Sequence, residues 1–436
     1  MSTPNKSIKQ ILEKLKIEQL NPMQIESKNA ILNNDEVVIL SPTGTGKTLA
    51  FLLPIVELLD PNCTEIQAVI IAPSRELVLQ IEQVTREMGS GYKANAFYGG
   101  RYFSRDRIDL NNRPAILIGT PGRVADHLRR NTFSTEYIKT LILDEFDKSL
   151  EVGFEGEMTD ICGALSEVEK TILTSATQGV SIPIFVGLQK PIKINYLKER
   201  ISTLKIKRIL SPEKDKLETL VVALCHLGKK RGIIFCNYKD SINRVSSFLT
   251  EKNIEHGCFY GGMEQKDRER VLIKFRNGTH RILLATDLAA RGLDVQELDY
   301  ILHYHLPLRE EEFTHRNGRT ARMHNEGVAY VLHWDQDELP SFIPYEDVEE
   351  INEATTPEQT EWATLYISGG RKDKISKGDI AGLFMKQGNL NKDELGIIEL
   401  KIDCAFVAVK KSKAKSLIKE LDSPKLKKKK VRIQII

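Results

Sequence analysis

The stretch that most constrains this chain is VVILSPTGTGKT, which spans residues 37–48. Its first four residues are apolar and mostly β-branched, which is typical of a buried strand. A loop of Thr and Gly follows, and the apolar residues from Leu49 onward then begin a helix. This order of strand, Gly-rich loop and helix is the structural context of a phosphate-binding P-loop. An ordinary Gly-rich turn is the alternative, and the preceding strand makes it the weaker one.

The loop offers the groups that a nucleotide needs. Gly44 and Gly46 allow backbone N–H groups to turn toward an anion, and the N-terminus of the following helix adds a positive dipole end. Lys47 would reach the β- and γ-phosphates, and the hydroxyl of Thr48 would bind Mg²⁺. The general pattern is GxxxxGK[ST], and Ser41 stands at the position of its first glycine. We therefore expect a nucleotide and Mg²⁺ at this loop.

Apolar, strand-like runs alternate with helical patterns on either side of residue 100. These runs cover residues 68–72, 95–98, 115–119, 140–143 and 170–173. Such alternation indicates βαβ units and a parallel sheet. Ligands of these sheets bind outside the carboxyl ends of the strands, and the polar clusters of this chain follow those ends.

One polar cluster is LILDEFD, residues 141–147, in which an apolar run ends in carboxylates. Asp144 fits the Walker-B role of holding Mg²⁺, directly or through a water molecule. Glu145 is placed to orient or deprotonate the attacking water. A solvated acidic turn is the alternative, and it is weak because the run before the acids is wholly apolar. SAT at 175–177 follows the next strand and adds two hydroxyls near the same edge.

Length and composition exclude several classes of protein. The chain of 436 residues is too long for one core, and about 100–200 residues per domain indicates two to four domains. No apolar run approaches the ~20 residues of a membrane span, and the N-terminus lacks the layout of a signal peptide. Six cysteines lie scattered without a CxxC pair, which argues against a zinc site and favours a reducing compartment. We therefore expect a cytoplasmic protein that binds no membrane.

Charge is unevenly distributed along the chain. Residues 401–436 carry 12 Lys/Arg and 3 Asp/Glu, whereas the net charge of the whole chain is only +3. This asymmetry indicates that the C-terminal part binds an acidic partner. The run KLKKKK at 425–430 could be a solvated tail, but strand-like VRIQII follows it, so we expect it to be part of a fold.

Six motifs of the first 200 residues occur together in the order of a known family. They are SPTGTGKT (41–48), PSRELVLQ (73–80), GG (99–100), TPGR (120–123), DEFD (144–147) and SAT (175–177). In these motifs the chain resembles the DEAD-box RNA helicases. The resemblance implies a RecA-like domain that uses ATP, with Gln24 reading the adenine edge. It also implies contacts with the RNA backbone, which carry no sequence information, at Arg75, Glu76, Gly100, Thr120 and Arg123.

A second α/β region without a P-loop of its own contains RGIIFCNYKDS (231–241), RILLATDLAARGLDV (281–295) and THRNGRTAR (314–322). It is similar to the second RecA-like domain of the same family. The resemblance implies that Gly292 and Asp294 reach the ribose and the catalytic water. Arg319 and Arg322 would be arginine fingers that complete the site when ATP and RNA close the two lobes, an effect worth about 10³–10⁵ in rate elsewhere.

The C-terminal region follows the acidic segment 345–362 and reads as strands and helices in the order βαββαβ, which is RRM-like. Tyr366 and Phe406 occupy its two sheet motifs as candidate base-stacking rings, with a core position as the alternative for Phe406. RKDK at 371–374 forms a basic loop. TLYISGGRKDKISKGDIAG resembles the C-terminal domain of the bacterial DbpA helicases, and this resemblance implies a hairpin of 23S ribosomal RNA as the partner.

Three residues depart from the pattern of the family. Phe146 replaces the alanine of the third position in DEAD, and the packing between motifs must accommodate its ring. Ile17 stands where the family has an aromatic residue near the adenine, so we expect weaker ATP affinity or selectivity. Ala321 replaces a common glycine of the last motif, a minor change.

The predicted fold class is α/β, with two tandem RecA-like parallel-sheet domains and a C-terminal α+β RRM-like domain. The predicted domains are 1–197 with the P-loop, 205–340 with the arginine fingers, an acidic linker at 341–360, and a basic RNA-binding domain at 361–436. The predicted catalytic residues are Lys47, Asp144, Glu145, His315, Arg319 and Arg322. The predicted cofactor-binding residues are Gln24, Thr43, Gly44, Thr45, Gly46, Lys47, Thr48, Gly292 and Asp294, with Thr48 and Asp144 as metal ligands. The predicted RNA contacts are Arg75, Glu76, Gly100, Thr120, Arg123, Thr286, Tyr366, Lys372, Lys374 and Phe406, and Asp147, Ser175 and Thr177 would couple the domains.

The favoured function is that of a monomeric, ATP-dependent RNA helicase that unwinds short duplexes during assembly of the large ribosomal subunit. The alternative is an ATP-gated RNA clamp or chaperone of general specificity, which Phe146 and Ile17 leave open. A DNA translocase of the same architecture is a third possibility, against which PSRELVLQ, Gln24 and HRNGRTAR favour RNA.

Overall fold

The structure is a computed structural model, and it describes residues 6–42, 44–151, 153–177, 182–197, 204–287, 298–320, 327–344, 347–352, 359–421 and 423–436. The described residues form two compact units, one up to residue 197 and one from residue 204 onward. Five residues singled out above lie outside the described residues: Thr43, Gly292, Asp294, Ala321 and Arg322.

The first unit contains a seven-stranded sheet in which every pair of neighbours is parallel. Its strands are β1 (Glu36–Leu40), β2 (Ala68–Ile71), β3 (Ala94–Phe97), β4 (Ile116–Gly119), β5 (Thr140–Leu143), β6 (Lys170–Ser175) and β7 (Ile192–Asn195), in the order β3-β4-β2-β5-β6-β1-β7. The predicted strands of this domain are confirmed, with ends that shift by no more than two residues. β7 was missed because its residues are largely exposed and its sequence IKIN alternates with lysine.

The helices of the first unit are α1 (Ile8–Leu15), α2 (Pro22–Asn33), α3 (Lys47–Leu58), α4 (Arg75–Met88), α5 (Phe103–Leu110), α6 (Pro121–Arg129), α7 (Phe146–Glu151) and α8 (Glu155–Ala164). Side chains cap several of them: Ser7, Asn21 and Ser74 each accept a hydrogen bond from a backbone N–H of the first turn. Alternate strand residues enter two separate apolar cores. Val37 and Ile39 of β1 belong to one core and Val38 and Leu40 to the other, because the sheet is covered on both faces.

The second unit contains another seven-stranded sheet with parallel neighbours only. Its strands are β8 (Leu204–Ser211), β9 (Gly232–Phe235), β10 (Gly257–Phe259), β11 (Ile282–Ala285), β12 (Tyr300–His303), β13 (Gly327–Trp334) and β14 (Asp347–Val348), in the order β10-β11-β9-β12-β13-β8-β14. The helices described with it are α9 (Leu217–Leu227), α10 (Lys239–Glu251), α11 (Gln265–Arg276) and α12 (Glu310–Asn317).

Part of the acidic segment expected to be a linker belongs to this second sheet. Residues 347–348 pair with β8 as an edge strand, and Glu349 forms an ion pair with Lys207 at 2.5 Å. Just before them, Ile343 is buried in a small apolar cluster with Phe313 and Val331. The sequence could not predict this edge strand, because a strand of two exposed residues has no alternation of apolar and polar side chains.

The C-terminal residues of the second unit form a four-stranded antiparallel sheet with one apolar core. Its strands are β15 (Trp362–Ile367), β16 (Leu395–Leu400), β17 (Ala405–Lys410) and β20 (Ile433–Ile435), in the order β16-β17-β15-β20. Helices α13 (Lys377–Gly382) and α14 (Lys411–Glu420) complete the predicted RRM-like order, and a π turn (Leu383–Gln387) continues α13. The lysine run at 425–430 lies in a two-stranded ribbon of β18 (Lys425–Leu426) and β19 (Lys429–Lys430).

The described chain therefore has two RecA-like parallel-sheet domains and a C-terminal RRM-like antiparallel sheet, so the predicted fold class is confirmed. Among the helices in the described ranges, none combines the length and the apolar character that crossing a membrane requires.

Three histidines make the stability of the second unit sensitive to mild acid. Burial and the charge of Arg316 lower the pKa of His303 to about 3. Burial, with help from neighbouring cations, lowers the pKa of His280 and that of His305 to about 4. Because the unfolded chain protonates these groups near pH 6.5 and the folded chain does not, the free energy of unfolding falls as the pH drops from about 6.5 to 4.5.

Intrinsic tryptophan fluorescence measures this loss, since Trp334 and Trp362 are the two tryptophans of the chain and both lie in the second unit. We expect the urea midpoint to fall steadily between pH 7 and 4.5, and His280→Gln to reduce the slope. A midpoint that stays constant over this range would contradict the protonation states inferred here.

Candidate functional site

The sequence motifs of the first unit all follow the carboxyl ends of its strands, as predicted. Backbone hydrogen bonds join several of these ends directly. Ser41 N donates to Ser175 O at 3.0 Å, and Asp144 N donates to Ile71 O at 2.9 Å. The P-loop, SAT, the acidic motif and the loop after β2 therefore share one edge of the sheet, which is where a ligand of a parallel sheet binds.

The P-loop has the backbone that its glycines were expected to provide. Gly44 and Gly46 have φ values of +83° and +85°, in the left-handed region that favours glycine. Lys47 begins α3 and is 9% exposed, with its Nζ donating to Ser41 O at 2.5 Å and Pro42 O at 2.9 Å. The ammonium group is thus held over the loop, where a phosphate would replace part of its contact with these carbonyls.

Gln24 lies against this loop. Its Nε2 donates to Gly46 O at 3.3 Å, and a Cβ added at Gly46 would lie 2.4 Å from the same nitrogen. Asn21 fixes the neighbouring backbone: its Nδ2 donates to Thr45 O at 3.0 Å and its Oδ1 accepts from Gln24 N at 2.9 Å. The start of α2 and the P-loop are therefore joined by side-chain hydrogen bonds, and the adenine-reading role expected of Gln24 stays a prediction.

Two of the three departures from the family pattern, Phe146 and Ile17, lie among the described residues. Phe146 is 4% exposed and belongs to an apolar core of the first unit, so its ring packs without leaving the domain. Ile17 is half-buried against the other core. An aliphatic side chain here cannot stack on a base as an aromatic ring does, so the expectation of weaker adenine binding stays a prediction.

Asp144 is a carboxylate in an environment that favours a bound cation. It is 3% exposed, and its Oδ1 accepts a hydrogen bond from the Thr174 hydroxyl. Burial and the neighbouring charge of Glu145 raise the pKa of Asp144 to about 6. The described residues contain no cluster of three or more potential metal ligands, but Mg²⁺ is usually held by one or two carboxylates together with substrate phosphates. Asp144 and the Thr48 hydroxyl fit that donor set.

Glu145 has a strained backbone next to this carboxylate. Its φ of +48° lies in the left-handed region, which costs a residue with a Cβ about 1–2 kcal/mol. The N–H of Glu145 donates to Thr174 Oγ1 at 3.2 Å, so one threonine contacts both acids. The sequence analysis did not predict a role for Thr174. The only feature of the sequence that could have indicated one is its position next to Ser175 of the SAT motif.

SAT is connected to the acidic motif by a side-chain hydrogen bond. Thr177 Oγ1 donates to Asp147 Oδ2 at 3.0 Å. Ser175 Oγ donates to Thr177 O at 2.9 Å and accepts from Thr177 N at 3.0 Å, which closes a tight turn. The three residues predicted to couple the domains are thus brought together inside the first unit.

The predicted RNA-contacting residues of the first unit lie on adjacent loops of the same sheet. Gly100 has a φ of +85°, and a Cβ added there would lie 2.8 Å from Nη1 of Arg75. Glu76 follows Arg75 in the first turn of α4. Thr120 N donates to Phe97 O at 3.0 Å and opens α6, which carries Arg123. Backbone and arginine donors on neighbouring loops are the groups that hold a sugar-phosphate chain.

In the second unit, Arg316 forms a network that sequence reasoning did not single out. Its guanidinium is 1% exposed and donates from Nε and Nη2 to the two oxygens of Asp287, each at 2.6 Å. It also donates to Asn237 Oδ1 at 2.8 Å and to His305 O at 2.7 Å. Arg316 therefore ties the loops after β9, β11 and β12 to helix α12.

The described site residues of the second unit lie next to members of this network in sequence. His315 is half-buried at the end of α12, and Arg319 follows the helix with 6% exposure. Thr286 follows β11 directly, is 9% exposed and donates its N–H to Phe259 O at 3.3 Å. His315 is thus adjacent in the chain to Arg316, and Thr286 is adjacent to its partner Asp287.

The two rings expected to stack on bases lie on the outer face of the C-terminal sheet. Glu399, Phe406 and Tyr366 are direct cross-strand neighbours, and the rings of Phe406 and Tyr366 meet edge to face at 5.6 Å. Phe406 is only 5% exposed, and Tyr366 is half-buried. Stacking of a base on Phe406 stays a prediction, and it would require removal of what covers this face.

The cover is helix α11 and the turn that follows it. Arg276 forms a two-pronged ion pair with Glu399, with Nε–Oε1 at 2.7 Å and Nη2–Oε2 at 2.9 Å. The hydroxyls of Thr279 and Thr364 are 2.7 Å apart, and Thr364 is fully buried. The C-terminal sheet therefore packs with its outer face against the second RecA-like domain, and its exposed basic residues lie elsewhere.

Lys372 and Lys374 are exposed on a single 3₁₀ turn at Arg371–Asp373. The turn is held against the β16–β17 loop, since Lys372 N donates to Ile402 O at 2.8 Å. Lys429 forms an ion pair with Asp373 at 2.8 Å and adds a third lysine to this end of the domain. Exposed lysines on a fixed backbone suit a polyanion.

Three known families match this chain in succession. Residues 21–182 match the DEAD/DEAH box helicases, residues 215–324 match the helicase conserved C-terminal domain, and residues 364–435 match the DbpA RNA binding domain. The three matches fall on the three sheets in order.

Two curated relatives match over nearly the whole chain. The ATP-dependent RNA helicase DbpA of Escherichia coli strain K12 is 30% identical over 431 residues, which cover 96% of this chain and 94% of the relative. The protein of the same name from Bacillus subtilis strain 168 is 30% identical over 441 residues, covering 93% of this chain and 92% of the relative. Among solved structures, Mss116p bound to single-stranded RNA and AMP-PNP matches with a TM-score of 0.70 and 27% identity, covering 80% of this chain and 78% of that one.

Proposed function

Because this chain belongs to the DEAD-box ATP-dependent RNA helicases of the DbpA type, we propose that it rearranges RNA of the large ribosomal subunit and that its C-terminal domain selects this RNA. The chain is an enzyme that couples ATP to RNA and carries an RNA-binding domain. We further propose that this RNA is a hairpin of 23S ribosomal RNA in a particle under assembly. The protein would act there as a monomer in the cytoplasm.

The first lobe would bind and hydrolyse ATP. Gln24 would read the adenine edge, the backbone of residues 44–46 would surround the phosphates, and Lys47 would contact the β- and γ-phosphates. Asp144 and Thr48 would hold Mg²⁺, which would neutralise charge on the phosphates. Glu145 accepts the proton of the attacking water, and its strained backbone fixes the direction of its carboxylate.

The second lobe would supply positive charge to the transition state. Arg319 and Arg322 act as the arginine fingers, and His315 orients them. Arg316 has another role in this proposal: through its described contacts with Asp287, His305 and Asn237, it fixes the end of helix α12 next to Arg319. ATP and RNA together would favour the closed, active state, and hydrolysis would release the RNA.

The RNA grip of the lobes carries no sequence preference in this proposal. Arg75, Gly100, Thr120 and Arg123 offer arginine, threonine and backbone donors, which suit phosphate and ribose groups rather than base edges. Selection of one RNA must therefore come from the C-terminal domain. Its exposed lysines and its fixed position on the second lobe are the observations that support this role.

The Arg276–Glu399 ion pair fixes the C-terminal domain on the second lobe, and on this contact we base the proposal that the domain presents its RNA to that lobe. Arg276→Glu would place two carboxylates together in a half-buried contact and separate the two domains, since like charges repel strongly there. We expect the ATPase of this variant to lose its preference for the hairpin RNA by about ten-fold while random RNA still stimulates it.

The exchanged pair, Arg276→Glu with Glu399→Arg, should restore most of the preference. Arg244→Glu is the matched control, because Arg244 forms an exposed ion pair with Asp215 in the same unit. Full preference for the hairpin in Arg276→Glu would show that the domain acts as a free tether, and the proposed fixed presentation would be wrong.

A further inference from the structure

Asp106 is a fully buried carboxylate outside the motifs discussed so far. It lies in the first turn of α5, in the sequence RYFSRDRIDL, where the surrounding residues are mostly exposed. Burial of an ionised carboxylate is costly unless cations pair with it, so its contacts must compensate for the lost hydration.

Cations from two different segments, the GG loop and the first turn of α6, provide this compensation. Arg123 Nε donates to Asp106 Oδ2 at 2.7 Å, and Arg101 Nε lies 3.3 Å from Oδ1. Arg123 Nη2 also donates to Arg101 O at 3.0 Å. Arg101 directly follows Gly100 of the GG motif, and Arg123 ends the TPGR motif. Asp106 thus connects the GG loop with the start of α6, two segments that we expect to contact the RNA backbone.

An aromatic cluster fixes the same arrangement from another side. His127 Nε2 lies 3.2 Å from Asp106 Oδ2, and its Nδ1 lies 2.8 Å from Thr132 Oγ1. The His127 ring stacks on Phe103 at 4.4 Å, and the guanidinium of Arg123 lies 4.8 Å from the centre of the Phe103 ring. Arg123 is therefore held in one rotamer by a carboxylate, a carbonyl and a ring.

We propose that Asp106 is a positioning residue for RNA binding: it fixes Arg123 and the GG loop at the spacing that the RNA backbone requires. This inference rests on the proposed RNA contacts of the first lobe and adds a residue that no motif contains. Arg123 uses Nε and Nη2 for its contacts within the protein. Its Nη1 makes no hydrogen bond within the described ranges and is the group that would meet a phosphate.

Removal of the negative charge at Asp106 distinguishes positioning from simple electrostatics. If Asp106 contributed only charge, Asp106→Asn would make the lobe more basic and RNA would bind more tightly. If Asp106 positions Arg123, the same change releases the guanidinium and RNA binds more weakly. The two accounts therefore predict opposite signs for one measurement.

The test is the RNA dependence of steady-state ATPase for the full-length chain, with random RNA as the probe. We expect Asp106→Asn to raise the RNA concentration for half-maximal stimulation by about ten-fold, with a smaller effect on the rate at saturating RNA. The slope of log affinity against log salt concentration should decrease in magnitude by about one, which is the contribution of one phosphate contact. Unchanged or tighter half-saturation would overturn the proposal.

Three further variants show whether the effect of Asp106→Asn comes from a folding defect. Arg123→Lys keeps the charge but loses the two-point contact, and it should weaken RNA as Asp106→Asn does; wild-type affinity in this variant would also overturn the proposal. Asp160→Asn, which breaks an exposed ion pair with Arg129 of α6, is the matched control and should bind RNA normally. In an Arg123→Ala background, Asp106→Asn should cost nothing more, because the two act through one contact. Absence of RNA-stimulated ATPase in the wild-type chain would contradict the proposed function itself. That result differs from a failure of the Asp106 proposal, in which the wild-type chain is stimulated by RNA and Asp106→Asn behaves in the same way.

Discussion

Lys47→Ala is expected to reduce ATP turnover by at least about 10²–10³-fold, the usual effect of removing one preorganised charge at a reacting phosphate or oxyanion. Lys47 is 9% exposed, begins α3 and extends over the P-loop to the carbonyls of Ser41 and Pro42. No neighbouring cation of the described P-loop segment could replace it, because the other described residues of 41–48 are uncharged.

The measurement is RNA-stimulated ATPase, with RNA binding of the nucleotide-free protein as the second readout. RNA binding through the C-terminal domain should stay intact, since that domain belongs to the other unit. Lys28→Ala is a suitable control, because Lys28 forms a partly exposed ion pair with Glu57 in the same lobe. Turnover within two-fold of wild type, which is a difference of roughly 0.4 kcal/mol in activation free energy, would refute the P-loop assignment.

Glu145→Gln should separate the helicase from an ATP-gated clamp. Glutamine preserves the size of the side chain and the N–H contact with Thr174, but it cannot accept the proton of water. Loss of a general base costs about 10²–10⁴-fold in rate, so turnover should fall by that factor while ATP still binds. Because hydrolysis is what releases RNA in this account, the variant should hold RNA longer than wild type in the presence of ATP.

Glu155→Gln is the matched control, since Glu155 is an exposed residue at the start of α8. Two outcomes would count against the assignment. Wild-type turnover in Glu145→Gln would remove Glu145 from the role of base. A wild-type chain that already retained RNA as long as the variant would support the clamp, in which ATP is bound without productive hydrolysis.

Local patterns predicted the strands and the site edge well, because both depend on residues close in sequence. The run at 140–143 became β5 without any change of bounds, and carboxylates placed just after an apolar run emerged at the carboxyl edge of the sheet. The same reasoning found the order of the C-terminal domain, where alternation of Leu365 and Ile367 marks the core face of β15.

Long-range partners could not be predicted in this way. Arg276 and Glu399 are 123 positions apart, and each alone reads as an ordinary surface charge. Asp106 was not singled out in the sequence, because nothing local signals that Arg101 and Arg123 would cover it. Phe406 was recognised as a sheet-face aromatic, but the helix that covers it belongs to another domain. Burial created by packing between segments leaves no periodic signal in either segment.

The most direct test of the central claim is the steady-state ATPase of the full-length chain with three nucleic acids. These are a 23S fragment that carries the peptidyl-transferase-region hairpin, a random RNA of equal length, and a DNA of matching sequence. We expect the 23S fragment to stimulate the ATPase strongly, random RNA to stimulate it more weakly, and DNA not to stimulate it. Equal stimulation by both RNAs would contradict selection by the C-terminal domain, and stimulation by DNA as strong as by RNA would contradict an RNA helicase.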